Sequence, residues 1–233
     1  SLRAEFRNAR RSFSPVERVT GGRLWAVPGN HDRYTLRELR PAQSRYDAEL
    51  GHWRPSERFP WFRSLGGGLA VVGLDATTSN GLGSHGVVTP AALKKLEAFA
   101  ERYGGRVREL WVLCHFPAED PAALVHKDRG PQLRSAALLL DWIERLGAPA
   151  LFLHGHHHHR WIYASPSVPN LTYLNAGAPL LRRPTRPADL GFFELIRESG
   201  RTRVDVHWRE GEQWRRRPVE TPGPGRAEDL QFL

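Results

Sequence analysis

Three short apolar runs in this chain each end on side chains of the kind that bind metals. Residues 24–27 lead through Pro28 into Gly29-Asn30-His31-Asp32. Residues 110–113 lead into Cys114-His115-Phe116, and residues 150–153 lead through His154 into Gly155-His156-His157-His158. Runs of about four apolar residues bounded by turn signals read as buried strands. In open α/β sheets, ligands collect at the carboxyl ends of such strands. The pattern therefore restricts the fold to one that brings three strand ends to a common edge.

The 233 residues, 40% of them apolar, can bury one sizeable core. We expect one domain over 1–214 and a loose, basic, Pro/Gly-rich tail over 215–233. The single cysteine, Cys114, excludes a disulfide framework. No run approaches the ~18–20 apolar residues of a membrane span, and no signal peptide is visible. A cytoplasmic protein is the expectation. Methionine is absent even at position 1, so the chain reads as processed or as a fragment. The net charge of +9 comes almost wholly from arginine, the only lysines being Lys94, Lys95 and Lys127. Such a charge attracts polyanions, but the arginines are scattered. Only Arg215-Arg216-Arg217 cluster, and no aromatic-basic recognition motif accompanies them. Nucleic acid is not the expected partner.

Helical and strand signals alternate. Leu2, Phe6, Ala9 and Phe13 give an opening amphipathic helix. Thr35-Leu36-Arg37-Glu38 is a capping box, and 41–68, rich in Arg, Pro and Gly, reads as a long surface excursion. Gly66-Gly67-Gly68 lacks the Lys-Ser/Thr of a phosphate-cradling loop and reads as a hairpin turn. Strands follow at 69–74, 110–113, 150–153, 161–164 and 171–174. Between them lie a helix from the Thr89-Pro90 cap to Tyr103 and another from Ser135 to the Gly147 stop. A hairpin turns at Ser199-Gly200. The expected class is α/β, with mixed sheets and helices outside.

The donor types suit a metal. An asparagine carbonyl oxygen is a neutral, hard ligand that works beside imidazoles for Mn²⁺, Fe or Zn²⁺. Gly29 permits a sharp turn off the strand, after which Asn30 and His31 point different ways. In extended chain, alternate residues share a face, which puts His156 and His158 on one side and His157 and His159 on the other. Each string also has a bland reading: a polar turn for Gly-Asn-His-Asp, a structural histidine for His115, and a single-metal site for the adjacent histidines. His52, His85, His126 and His207 lie near no motif. The Asn175-Ala176-Gly177-Ala178 turn reads as structural.

Together the strings resemble the calcineurin-like metallophosphoesterase family. They match three of its five usual blocks, and the resemblance runs from residue 1 to about 208. It implies a four-layer α/β/β/α sandwich of two mixed sheets with outer helices. It also implies two divalent ions (Mn, Fe or Zn) and hydrolysis of a phosphodiester, phosphomonoester or pyrophosphate bond by a metal-activated hydroxide. The metal ligands so implied are Asn30, His115, His156 and His158. His31 is the implied general acid; from the residues themselves, Asp32 is the adjacent candidate to orient its other nitrogen, and His154 is, by parity, a candidate just behind the ligands. The Val27-Pro28-Gly29-Asn30-His31-Asp32 and Leu153-His154-Gly155-His156 strings are similar to those of the bacterial small-phosphodiesterase branch. That branch includes class III cyclic-nucleotide phosphodiesterases and UDP-diacylglucosamine pyrophosphohydrolases. The implied substrate is a small phosphorylated molecule, such as a nucleotide or nucleotide-sugar. The family's two N-terminal blocks, Asp-x-His and Gly-Asp, do not occur ahead of Gly29. We expect them upstream of Ser1 in the natural gene, and we expect the chain as given to be impaired without them. A non-catalytic scaffold of the same fold is the alternative.

Overall fold

The computed structural model describes residues 3–33, 44–77, 85–121, 133–177 and 191–230. The capping box at 35–38, His126, Ala178 and most of the 76–88 loop lie outside the described residues.

A seven-stranded mixed sheet organises the chain. Its strands are β1 (Trp61–Ser64), β2 (Leu69–Gly73), β3 (Glu109–Leu113), β4 (Ala150–His154), β5 (Arg160–Ala164), β6 (Leu171–Ala176) and β10 (Ala227–Asp229), in the order β1-β2-β3-β4-β6-β5-β10. The inner strands β2, β3, β4 and β6 run parallel, while β1, β5 and β10 are antiparallel to their neighbours. Strands buried on both faces need continuous apolar runs, and every residue of β2 is buried. A second sheet, β7-β8-β9, is antiparallel: β7 (Gly191–Glu198), β8 (Arg201–Glu210) and β9 (Gln213–Val219). The β7–β8 turn uses positive φ at Ser199 and Gly200, as its sequence signalled.

Side-chain alternation along β4 assigns the two faces. Ala150 and Phe152 join a cluster with Leu96, Leu139, Trp142 and Ile143. These come from helices α3 (Pro90–Tyr103) and α4 (Ala136–Leu146). Leu151 and Leu153 face the other way, onto Val204 and Val206 of β8. Thr89 Oγ1 accepts the Ala92 N–H at 3.2 Å and caps α3, and Gly147 ends α4 at φ 68°. The class is α/β, as the alternation implies. No helix among the described residues is long and apolar enough to cross a membrane.

Three expectations need correction. Residues 24–27 form no strand. Ala26 donates to the Trp53 carbonyl at 2.9 Å, an irregular partner with no ladder beyond it. Leu24 and Ala26 instead pack on Phe6, Tyr46, Leu50 and Trp53, the core shared by α1 (Arg3–Val19) and α2 (Arg45–Leu50). The stretch 41–68 is not a surface excursion, since Tyr46, Leu50, Trp53 and Trp61 are all buried in it. Its arginines misled because ion pairing takes some inside: Arg54 closes on Asp47, which Arg33 meets from outside the stretch. Over the described residues 215–230 the tail is not loose. Arg215–Arg217 fall within β9, where Glu210, Asp205 and Glu228 pair them. Pro218 is accommodated because β9 is an edge strand, and Leu230 is fully buried.

Gly73 shows how closely the β1–β2 pair is packed. It sits opposite Trp61 in the register, and a Cβ there would lie 2.0 Å from Trp61 Cε2. Gly73→Ala should destabilise the protein by about 2 kcal/mol or more and lower Tm by roughly 4–8 °C. An unchanged melting curve would mean that the Trp61 ring is not held where described.

Candidate metal centre

The parallel pairing of β3 and β4 continues one step past both strands. Cys114 N–H donates to the Leu153 carbonyl at 3.1 Å, and Gly155 N–H donates to the His115 carbonyl at 3.2 Å. His115 and the start of the histidine run are therefore level. A single 3₁₀ turn, Asn30–Asp32, arrives over them. Gly29, which begins it, lies so close to the His115 ring that a Cβ would meet Cε1 and Nδ1 at 2.9 Å. Glycine is needed there for approach. Asp32 Oδ2 accepts the Gly29 N–H at 2.9 Å and closes the turn. The described action of Asp32 is thus on the backbone that presents Asn30.

His115 Nε2 sits 2.8 Å from Asn30 Oδ1 and 3.3 Å from His156 Nδ1, with the two imidazoles nearly perpendicular at 81°. Ligand atoms about 2.1 Å from a common ion are roughly 3.0–3.4 Å apart, so these separations suit one. Asn30 Oδ1 only accepts, so His115 Nε2–H donates to it; an ion would take that proton's place. Burial pushes the His115 imidazole down to about 3, and the neighbouring His156, His158, His31 and His157 push the same way. It is neutral at physiological pH, the form that binds metal. His31 is exposed, and with His158 it is near enough to contribute to that shift. Among the described residues, no three His, Cys, Asp or Glu side chains gather at a metal-sized point. The convergent set is two imidazoles and one carboxamide, all neutral. Asp75 is engaged by Arg33 at 3.3 Å and by the Thr77 N–H.

The histidine run is not extended, and the alternation argument for it fails. His156 and His158 have φ of 71° and 55°. His157 N–H reaches the Gly155 carbonyl at 2.9 Å, making a γ-turn centred on His156. A left-handed β-carbon-bearing residue there costs about 1–3 kcal/mol, which the surroundings must supply. They do so at the Gly155 carbonyl, which also accepts Asn175 Nδ2 and His154 Nδ1, both at 3.1 Å. His154 Nδ1 must therefore carry its proton. Its ring is wedged edge-on against Trp161 and Tyr173, and burial pushes its pKa to about 3. His154 thus acts on the turn through its backbone. Asn175 is fully buried, and its Oδ1 takes the Gly177 N–H at 3.0 Å.

Two more histidines of the run have carboxylate partners. His157 Nε2 lies 2.7 Å from Asp120 Oδ1, and His159 Nε2 lies 2.9 Å from Asp229. Sequence reasoning missed Asp120, because nothing in Phe116-Pro117-Ala118-Glu119-Asp120 signals a contact 37 residues away. His52 and His207 pair with Glu17 and Glu194. No protein-family model matches the chain, and no curated protein matches it significantly.

His156→Gly in chelator should raise Tm or leave it unchanged, because relief of the left-handed strain offsets the entropy cost of glycine. His157→Gly should lower it. A marked fall for His156→Gly would show that the turn is unstrained. The pH dependence has a definite sign. The folded pKa values of His115 and His154 lie below the unfolded imidazole value, so between about 6.5 and 3 the unfolded chain binds more protons. Metal-free stability should fall as pH drops through that window, by up to about 1.4 kcal/mol per pH unit for each histidine. His154→Leu should flatten the slope measured by urea denaturation at pH 6, 5 and 4.

Proposed function

We propose that the chain is a metal-dependent phosphoric ester hydrolase whose centre holds divalent transition-metal ions through Asn30, His115, His156 and His158. The observation that carries this reading is the approach of Asn30 Oδ1 and His156 Nδ1 to His115 Nε2. These donors come from three separate segments and end on neutral groups. Ions held there supply electrostatic stabilisation of phosphoryl oxygens and a nucleophile at neutral pH. The protein's own residues do the rest. Gly29 and Asp32 fix the turn that presents Asn30. His31, exposed beside His115, donates a proton to the oxygen that departs when the P–O bond breaks. The substrate class is a small phosphorylated molecule, with a nucleotide or nucleotide-sugar as the first choice, and a four-layer sandwich is part of the same proposal.

The neutral donor set favours one alternative. With Asp32 and Asp75 engaged elsewhere, no carboxylate among the assigned ligands offsets the charge of two dications. A scaffold that binds one ion without turnover would have this composition.

Calorimetric titration with Mn²⁺ and Zn²⁺, together with Mn²⁺-dependent hydrolysis of bis-nitrophenyl phosphate, separates the two readings. In the full-length gene product we expect metal binding that His115→Ala abolishes and Asn30→Ala weakens, with hydrolysis following occupancy. Binding without hydrolysis would favour the scaffold, and no binding would remove both. In the active protein, His31→Ala should cost about 10²–10⁴-fold on alkyl phosphate esters and far less on nitrophenyl esters, whose leaving group needs no proton. Equal losses on both would take His31 out of the proton-donor role.

A further inference from the structure

A groove of about 700 Å³ opens between the β1–β2 hairpin and the C-terminal half of α3. It lies at the starts of β2 and β3, whereas His115 follows the end of β3. Five residues of strand, roughly 16 Å at 3.3 Å each, separate the two places. The groove is therefore not part of the metal centre.

Its floor is apolar. Phe62 and Phe99 stack at 4.7 Å with planes 9° apart, and Tyr103 lies against Phe99 at 5.6 Å. Its rim is cationic. Arg63, Lys95, Arg102 and Arg106 line it, no carboxylate does, and all four are exposed. Among the described residues none of the four is ion-paired. Arg63 donates to the Pro55 carbonyl and Lys95 to the Phe59 carbonyl, and Arg102 lies over the Tyr103 ring. Elsewhere on this surface arginines meet acids, as Arg145 meets Glu97 and Asp141. Four like charges around an apolar trough repel each other and leave large aromatic rings partly wet.

We propose that this groove binds a single-chain anionic amphiphile, an acyl chain carrying a phosphate or carboxylate head. The guanidinium groups of Arg102 and Arg106 take the head, as such planar donors do with phosphate and carboxylate. The chain lies along Phe62, Phe99 and Leu69. A free inorganic anion would leave the floor uncovered, and a cationic or uncharged chain would leave the four charges uncompensated. Beyond the four cations, the polar side chains of the lining are Ser64 and Tyr103, and an acyl chain along Phe62, Phe99 and Leu69 needs no polar partner. The trough is concave and sized for one chain, so the commitment is to the monomeric amphiphile rather than to a bilayer surface. This inference stands independently of the phosphoesterase proposal.

The test is calorimetry with lauroyl lysophosphatidate below its micellar concentration. Saturable one-to-one binding is expected, with inorganic phosphate and dodecyltrimethylammonium failing to bind at the same concentration. The double variant Arg102→Glu/Arg106→Glu should weaken binding roughly tenfold or more, the loss expected for charge-assisted contacts. Ala98→Trp, at an exposed helix position lining the groove, should block it while leaving Tm unchanged. Equal affinity for the anionic and cationic amphiphiles would overturn the proposal. So would binding untouched by either variant, or retention on anionic vesicles without binding of the monomer.

Discussion

One residue, Gly155, holds the candidate centre together through its backbone N–H and carbonyl. Its N–H donates the last rung of the parallel ladder to the His115 carbonyl, which sets the level of the histidine run against β3. Its carbonyl accepts from His157, Asn175 and His154, which fixes a left-handed turn at His156. Without the first bond, His115 and His156 would not share a level. Without the second set, the turn would relax toward ordinary extended backbone and carry His156 Nδ1 away from His115 Nε2. Strain that survives in a folded protein is held by surroundings that over-determine it, and here three donors to one oxygen do so.

The other side of the centre depends on buried charge. Arg33, which ends the turn bearing Asn30, is only 4% exposed. It reaches Ser44 at 2.8 Å, Asp47 at 2.9 Å and Asp75 at 3.3 Å. That network ties the turn to α2 and to the end of β2, so Asn30 is placed by two elements distant in sequence. Removing one partner of such a buried pair costs about 3–5 kcal/mol because it strands the other charge. The network also explains why residues 24–27 need no ladder to be held: their backbone meets the Trp53 carbonyl and their side chains meet the α1–α2 core.

The fold was legible where local signals agreed with tertiary demand. The Thr89-Pro90 start, the Gly147 stop, the Ser199-Gly200 hairpin and the apolar inner strands all lie where the sequence placed them. It was illegible where tertiary contacts overrode composition. Arg33 and Arg54 look like surface residues until Asp47 is folded against them, and Arg215–Arg217 look like a solvated tail until β8 pairs with them. At the site, the residue types and the arrival of His115 and His156 past the ends of β3 and β4 were readable, because donor chemistry is local; Asn30 comes instead off a segment that forms no strand. The positive φ at His156, the clamp by Asn175 and the Asp120 partner of His157 were not. Each depends on a contact that only the folded backbone creates.

Anomalous X-ray diffraction from a crystal soaked in Mn²⁺ or Zn²⁺ tests the central claim most directly. The account predicts a metal peak about 2.1 Å from Asn30 Oδ1, His115 Nε2 and His156 Nδ1. A peak held only by other residues, or none at those atoms under saturating metal, would contradict it.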